Sequence, residues 1–161
     1  MAGDIKGKYG TNNQAITLTI TSLATSATVG REFTAIDNST NVFLDLLFVL
    51  WFETGTVASN KQMLVYFAGS ADGGTTYGEA LTGVDAAFTR KDPSTLLGPL
   101  VIPAVTNAYV HKTPARAIAG FFGGTLPDRI GGAVFNDTGA TLTGNAANNK
   151  AYYQGVLAQY T

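Results

Sequence analysis

Residues 42–53 read Val-Phe-Leu-Asp-Leu-Leu-Phe-Val-Leu-Trp-Phe-Glu, and the way this run folds decides the class of the whole chain. At a period of two, Val42, Leu44, Leu46, Phe48, Leu50 and Phe52 form an unbroken apolar face. Phe43, Asp45, Leu47, Val49, Trp51 and Glu53 form a mixed face opposite. A helix could also present this run, and periodicity alone does not separate the two. Flanking Asn41 and Gly55, the aromatic content, and the fall of both charges on a single period-two face favour a central strand. The run is too short for a membrane helix, which needs about 20 residues, and Asp45 interrupts it.

Downstream, residues 61–68 place Leu64, Tyr66 and Ala68 against Met63, Val65 and Phe67, so both faces of that strand need cover. It ends in the turn cluster 69–74, with Gly73 and Gly74 adjacent. Upstream, Ile16, Leu18 and Ile20 alternate with Thr17, Thr19 and Thr21, the pattern of a half-buried strand. Residues 31–37 read as another strand, with Phe33, Ala35 and Asp37 on one face and Thr34 and Ile36 on the other. Residues 75–97 are irregular and read as a long loop in which 84–88 forms a short helix or strand. Short strands follow around 100–105, 109–112, 115–121, 130–136 and 152–160, with Pro103, Pro114 and Pro127 limiting their lengths. Many short strands without amphipathic helices predict an all-β protein: an antiparallel, jelly-roll-like β-sandwich over 15–161. The two runs apolar on both faces suit sheets packed face to face, with a further sheet or subunit outside. Residues 1–14, rich in glycine, lysine and asparagine with only Ile5 and Tyr9 as sizeable apolar groups, read as an extended N-terminal arm.

Composition narrows the function. Charged residues make up 13% of the 161, against about 25% in an average domain, and the net charge is −1. That balance gives no electrostatic footprint for nucleic acid and no polybasic membrane patch. With no cysteine, the chain has no disulfide, thiol nucleophile or Cys-based metal site, and the single His111 removes His-rich metal sites. No cofactor is expected. The 22 threonines and 10 asparagines favour strands and turns, and a sparsely charged surface suits a protein covered in an assembly. No apolar leader segment precedes Ile16, so synthesis in a cytoplasm is expected.

Catalytic constellations are weak. His111 alternates with apolar neighbours and no Gly-x-Ser-x-Gly elbow accompanies it, so it reads as a surface or interface residue. Asp45 and Glu53 share a strand face but lie roughly 26 Å apart at 3.3 Å per residue, too far to act on one glycosidic bond. They read as marking the ends of that face, or as meeting a partner. Residues 70–74 resemble part of a calcium loop but lack its alternating ligands and terminal glutamate, so a structural turn is the better reading. Residues 120–124 carry no phosphate-cradle spacing, and their glycines instead let Phe121 and Phe122 turn at a strand end. Trp51, Tyr77, Tyr109, Tyr152, Tyr153 and Tyr160 could stack on sugars, although core packing or subunit contact is the stronger expectation.

Several stretches, in order through the second half of the chain, resemble small virion proteins of tailed bacteriophages that decorate capsids or form head fibres. They are 69–77, 98–103, 119–129 (Ala-Gly-Phe-Phe-Gly-Gly-Thr-Leu-Pro-Asp-Arg), 135–142 and 151–156. The chain departs from the pattern at Ile130-Gly131-Gly132-Ala133, where a longer apolar or aromatic tract is expected. The resemblance implies a non-enzymatic virion protein, made in the host cytoplasm, whose β-sandwich binds the major capsid protein from outside the head, often as a homotrimer. On that reading Ile5, Lys6, Lys8, Tyr9, Asp45, Trp51, Glu53 and Tyr77 are the candidate partner contacts. The alternative is a glycan-binding module of a phage fibre or tail using Trp51 or Tyr77, and an enzyme is the least favoured reading.

Overall fold

Twelve strands and three short 3-10 turns, joined by loops, make up the fold of the described residues. The computed structural model describes residues 5–58 and 60–160. Within them lie β1 (Ile5–Tyr9), β2 (Gln14–Ile16), β3 (Val29–Glu32), β4 (Ile36–Asp37), β5 (Asp45–Glu53) and β6 (Gln62–Ser70). Then follow β7 (Ala86–Thr89), β8 (Leu97–Pro103), β9 (Val110–Lys112), β10 (Arg116–Ala117), β11 (Arg129–Asp137) and β12 (Lys150–Tyr160). Sheet A runs β1-β12-β5-β10, with β2 also on β12 and β9 also on β5; sheet B runs β7-β3-β11-β6-β8, with β4 also on β11. Every pairing is antiparallel. Apart from β1, β4 and β7, and with β9 and β10 counted as one interrupted edge, the strands order as β2-β12-β5 and that edge in sheet A and as β3-β11-β6-β8 in sheet B. This interleaving of early and late strands in two sheets is a jelly roll.

The core between the sheets takes Leu46, Phe48, Leu50 and Phe52 from β5 and Met63, Val65 and Phe67 from β6. Phe48 and Phe67 meet edge to face, their centroids 5.5 Å apart. The other face of β6, with Ala133 and Phe135 of β11, is also buried, against Tyr77, Leu81, Phe88 and Leu96. For β6 the expected outer cover is therefore the chain's own segment 75–97, which holds two 3-10 turns and β7, whereas the outer face of β5 receives none from it.

Several local readings change, among them the strand expected around 115–121, where only Arg116–Ala117 is strand and Ala119–Phe122 is a 3-10 turn. The apolar face of residues 42–53 begins at Leu46, because Val42 and Leu44 are 69% and 53% exposed while Phe43 is buried. The turn before β5 causes this shift: the Asn38 side chain accepts from the Phe43 N–H at 2.7 Å, and Val42 adopts a φ of 50°. Residues 31–37 are not one strand. From Glu32 to Ile36 the chain takes one more residue than its partner takes from Ala133 to Ile130, a bulge that turns both Phe33 and Ile36 into the core. At the bulge Thr34 and Ala35 donate their N–H groups to the carbonyls of Thr17 and Gly83, away from β11. In residues 15–20 the expected alternation holds, yet only Gln14–Ile16 is laddered, since the chain then crosses towards sheet B.

Candidate interaction surfaces

The arm expected at the N-terminus is, over its described part, the edge strand of sheet A. β1 lies along the end of β12, with Ile5 opposite Tyr160, Gly7 opposite Ala158 and Tyr9 opposite Val156. All five β1 residues are exposed, and so are the last three of β12, so the two strands form a ribbon that runs past the core. Ile5, Tyr9 and Tyr160 are 76%, 66% and 72% exposed. By strand alternation these three share one face of the ribbon, and Lys6 and Lys8 occupy the other.

The ribbon's Ile5 and Tyr9 face continues onto the outer face of sheet A. There Leu47, Val49 and Trp51 of β5 lie beside Gln154, Tyr152 and Lys150 of β12, all half-buried. Trp51 meets Tyr152 edge to face at 5.6 Å. The ammonium groups of Lys112 and Lys150, its cross-strand neighbours, stand 4.2 and 4.7 Å from its ring centroid. The ring quadrupole attracts both cations, so Trp51 joins three strands at this face.

Asp45 and Glu53 do mark the two ends of β5, but their oxygens serve the chain itself. One Asp45 carboxylate oxygen accepts from the N–H groups of Leu46, Ile118 and Ala119 at 2.7, 3.1 and 2.8 Å, fixing the turn that follows β10. Glu53 accepts from Asn148 at 3.0 Å and from the Thr143 hydroxyl at 2.8 Å, and these bonds hold its carboxyl below the usual range. Tyr77 is not a surface contact: it is 8% exposed and sits in the second core beneath the 75–97 cover. Glycines make room for it, since a Cβ at Gly83 would lie 2.9 Å from its ring and one at Gly131 would lie 3.1 Å away.

His111 stacks on Phe52 with centroids 4.8 Å apart, and its Nε2 lies 3.3 Å from the Thr106 carbonyl. Burial pushes its pKa below 6.5, and the carbonyl only partly opposes that. The nearby Thr54 hydroxyl donates to the same carbonyl at 2.9 Å, so its proton is engaged. In the 70–74 loop, Asp72 accepts from the Ser70 hydroxyl and from the N–H groups of Thr76 and Thr75, bonds that lower its pKa and close a turn. No group of three or more His, Cys, Asp or Glu side chains that could hold a metal lies among the described residues. Residues Ala119–Phe122 form a 3-10 turn ended by Gly123 at a φ of 72°, which lets Phe121 pack 5.4 Å from Phe67.

Sequence reasoning offered the mixed face of β5 and the Tyr160 ring for contact, but it did not single out Leu47 and Val49 or join Tyr160 to them. The signal was present, because the mixed face of β5 is apolar at its centre, but its continuation onto β12 and β1 depends on the sheet order. Compared with protein-family models, curated proteins and solved structures, the chain matches none of them.

Proposed function

We propose that this chain is a structural protein of a bacteriophage particle that binds the major capsid protein on the outside of the head and stabilises it. The observation that carries the reading is the β1–β12 ribbon, which displays Ile5, Tyr9 and Tyr160 beyond the core on a face continuous with Leu47, Val49 and Trp51. Free monomers gain nothing from such a surface, whereas a subunit that bridges neighbours buries it at about 25 cal/mol per Å² of apolar area, less the cost of ordering. The phage-like stretches in the second half of the sequence give the partner its class. Assembly as a homotrimer on the head is part of the same proposal. The glycan-binding alternative draws no support from its two named rings: Tyr77 is buried, and Trp51 already carries Lys112 and Lys150 over its ring.

Heads lacking the protein supply the test. Purified chain should sediment with them and raise the temperature at which they release DNA. Ile5→Asp with Tyr9→Asp should abolish both effects. Absence of co-sedimentation by the wild type overturns the reading, and so does full binding by the double variant.

A further inference from the structure

The two sheets leave one side of the sandwich open. There sheet B ends in β8 and sheet A in the β9–β10 edge, and a cleft of about 710 Å³ lies between them. Val101, Ile102 and Pro103 line one wall, and the stretch from Ala108 to Pro114 lines the other. Its volume is that of a ligand site, about 300–1,000 Å³. Large apolar side chains are also exposed around it: Val101 at 47%, Tyr109 at 53%, and Val105 on the connecting loop at 67%. That apolar rim extends past the cleft itself, which suits an extended chain better than a compact molecule.

Two features define the occupant. Among the described residues β8 pairs only with β6, and β9 and β10 only with β5, so both borders of the cleft are free sheet edges. Pro99 and Pro103 remove N–H groups from β8, whereas β9 contains no proline, which makes β9 the edge open to a further strand. The second feature is charge. Lys112 and Arg116 line the cleft and no Asp or Glu does. Lys112 is engaged over Trp51, while Arg116, among the described residues, has no carboxylate within ion-pair distance. The β1 strand of a second copy is a poor occupant, because it would bring Lys6 and Lys8 against these cations.

We infer that this cleft binds an extended, acid-bearing segment of the partner protein, added as a strand beside β9 with a carboxylate on Arg116 and apolar side chains against Val101 and Tyr109. The identity of that partner as capsid protein rests on the proposed function; the chemistry of the segment does not.

The experiment pans a bead-displayed library of short random peptides on the full chain, on Arg116→Glu and on Val101→Ser. Both substitutions are at exposed positions, and a thermal melt checks that each variant is folded. The expected result is enrichment of peptides that alternate apolar residues with Asp or Glu. Their affinity should fall by roughly tenfold or more with Arg116→Glu, as expected for reversal of a contacted charge. Amide shifts on binding should map to 109–116. Failure to enrich any peptide, enrichment of neutral or basic peptides, or binding unaffected by Arg116→Glu overturns the inference. If octanoate alone produces the same shifts and no peptide does, the cleft is a small-molecule site and the inference falls. A chain that selects acidic peptides yet ignores phage heads would remove the proposed function and leave the cleft's chemistry standing.

Discussion

Gly132 has no space for even a methyl group: a Cβ there would lie 2.8 Å from the Phe33 ring and closer still to the Tyr66 carbonyl oxygen. Gly132→Ala should therefore destabilise by about 1–3 kcal/mol, lowering the melting temperature by about 2–4 °C per kcal/mol. Gly7→Ala, where nothing lies within 4 Å, should melt like the wild type and is the control for chain stiffness alone. Asp45→Ala removes the acceptor of the Ala119 N–H, while the Ile118 N–H keeps the Leu46 carbonyl, and should cost about 1–3 kcal/mol in urea unfolding. Asp45→Asn, which keeps an acceptor, should cost less. His111 gives a pH signature. Burial favours its neutral form in the fold, so its contribution is present above the unfolded value of 6.5 and is lost as pH falls below it. Melting curves at pH 7 and 5 should show a loss of stability that His111→Gln reduces.

Among the elements, the 75–97 cover has its own dependence on acid. Glu79 and Asp85 would both be raised by burial, but hydrogen bonds outweigh it: Glu79 accepts from the N–H groups of Asp92 and Lys91, and Asp85 pairs with Arg31 at 2.5 Å. Asp92 is held low by the Ser94 hydroxyl and N–H. All three have pKa values below the usual carboxylate range, so their stabilisation is complete above about pH 5 and is lost as pH falls further. Hydrogen exchange should show 75–97 opening at pH 3 while β6 and β11 stay protected; uniform exchange of all three would contradict this. The strands on either side of the cover differ in how far the sequence announces them. β5 from Asp45 onward and β6 were legible because each keeps period two and each buries what that period puts on one face or on both. The bulge at Phe33–Ala35 was not, since its cause is partners from Thr17 and Gly83, far off in sequence. Tyr77 was misplaced for a similar reason: the glycines that admit it stand at 74, 83 and 131 and only meet in the fold.

For the molecule as a whole, the all-β class followed from alternation, but the number of strands, the pairing of β2 with β12 and that of β3 with β11 did not. Those contacts join segments that no local pattern connects. The arm was legible as an extended, polar stretch. Its seat on β12, which fixes Ile5, Tyr9 and Tyr160 on one face, depends on a strand about 150 residues away in sequence. Because this ribbon lies outside the core, Ile5→Asp with Tyr9→Asp should melt within about 0.5 kcal/mol of the wild type while losing attachment to heads. Equal loss of folding and attachment would instead make the ribbon part of the scaffold.

The pairing of β5 with β12 also sets a timetable for biosynthesis. Phe48 faces Tyr153, about 105 residues further along, so at about 5–20 residues per second the most apolar stretch of the chain waits roughly 5–20 s on the ribosome for its neighbour. During that interval its open edges invite other nascent chains. Yield on overexpression should depend on chaperone supply and on growth temperature more than on the strength of the finished fold.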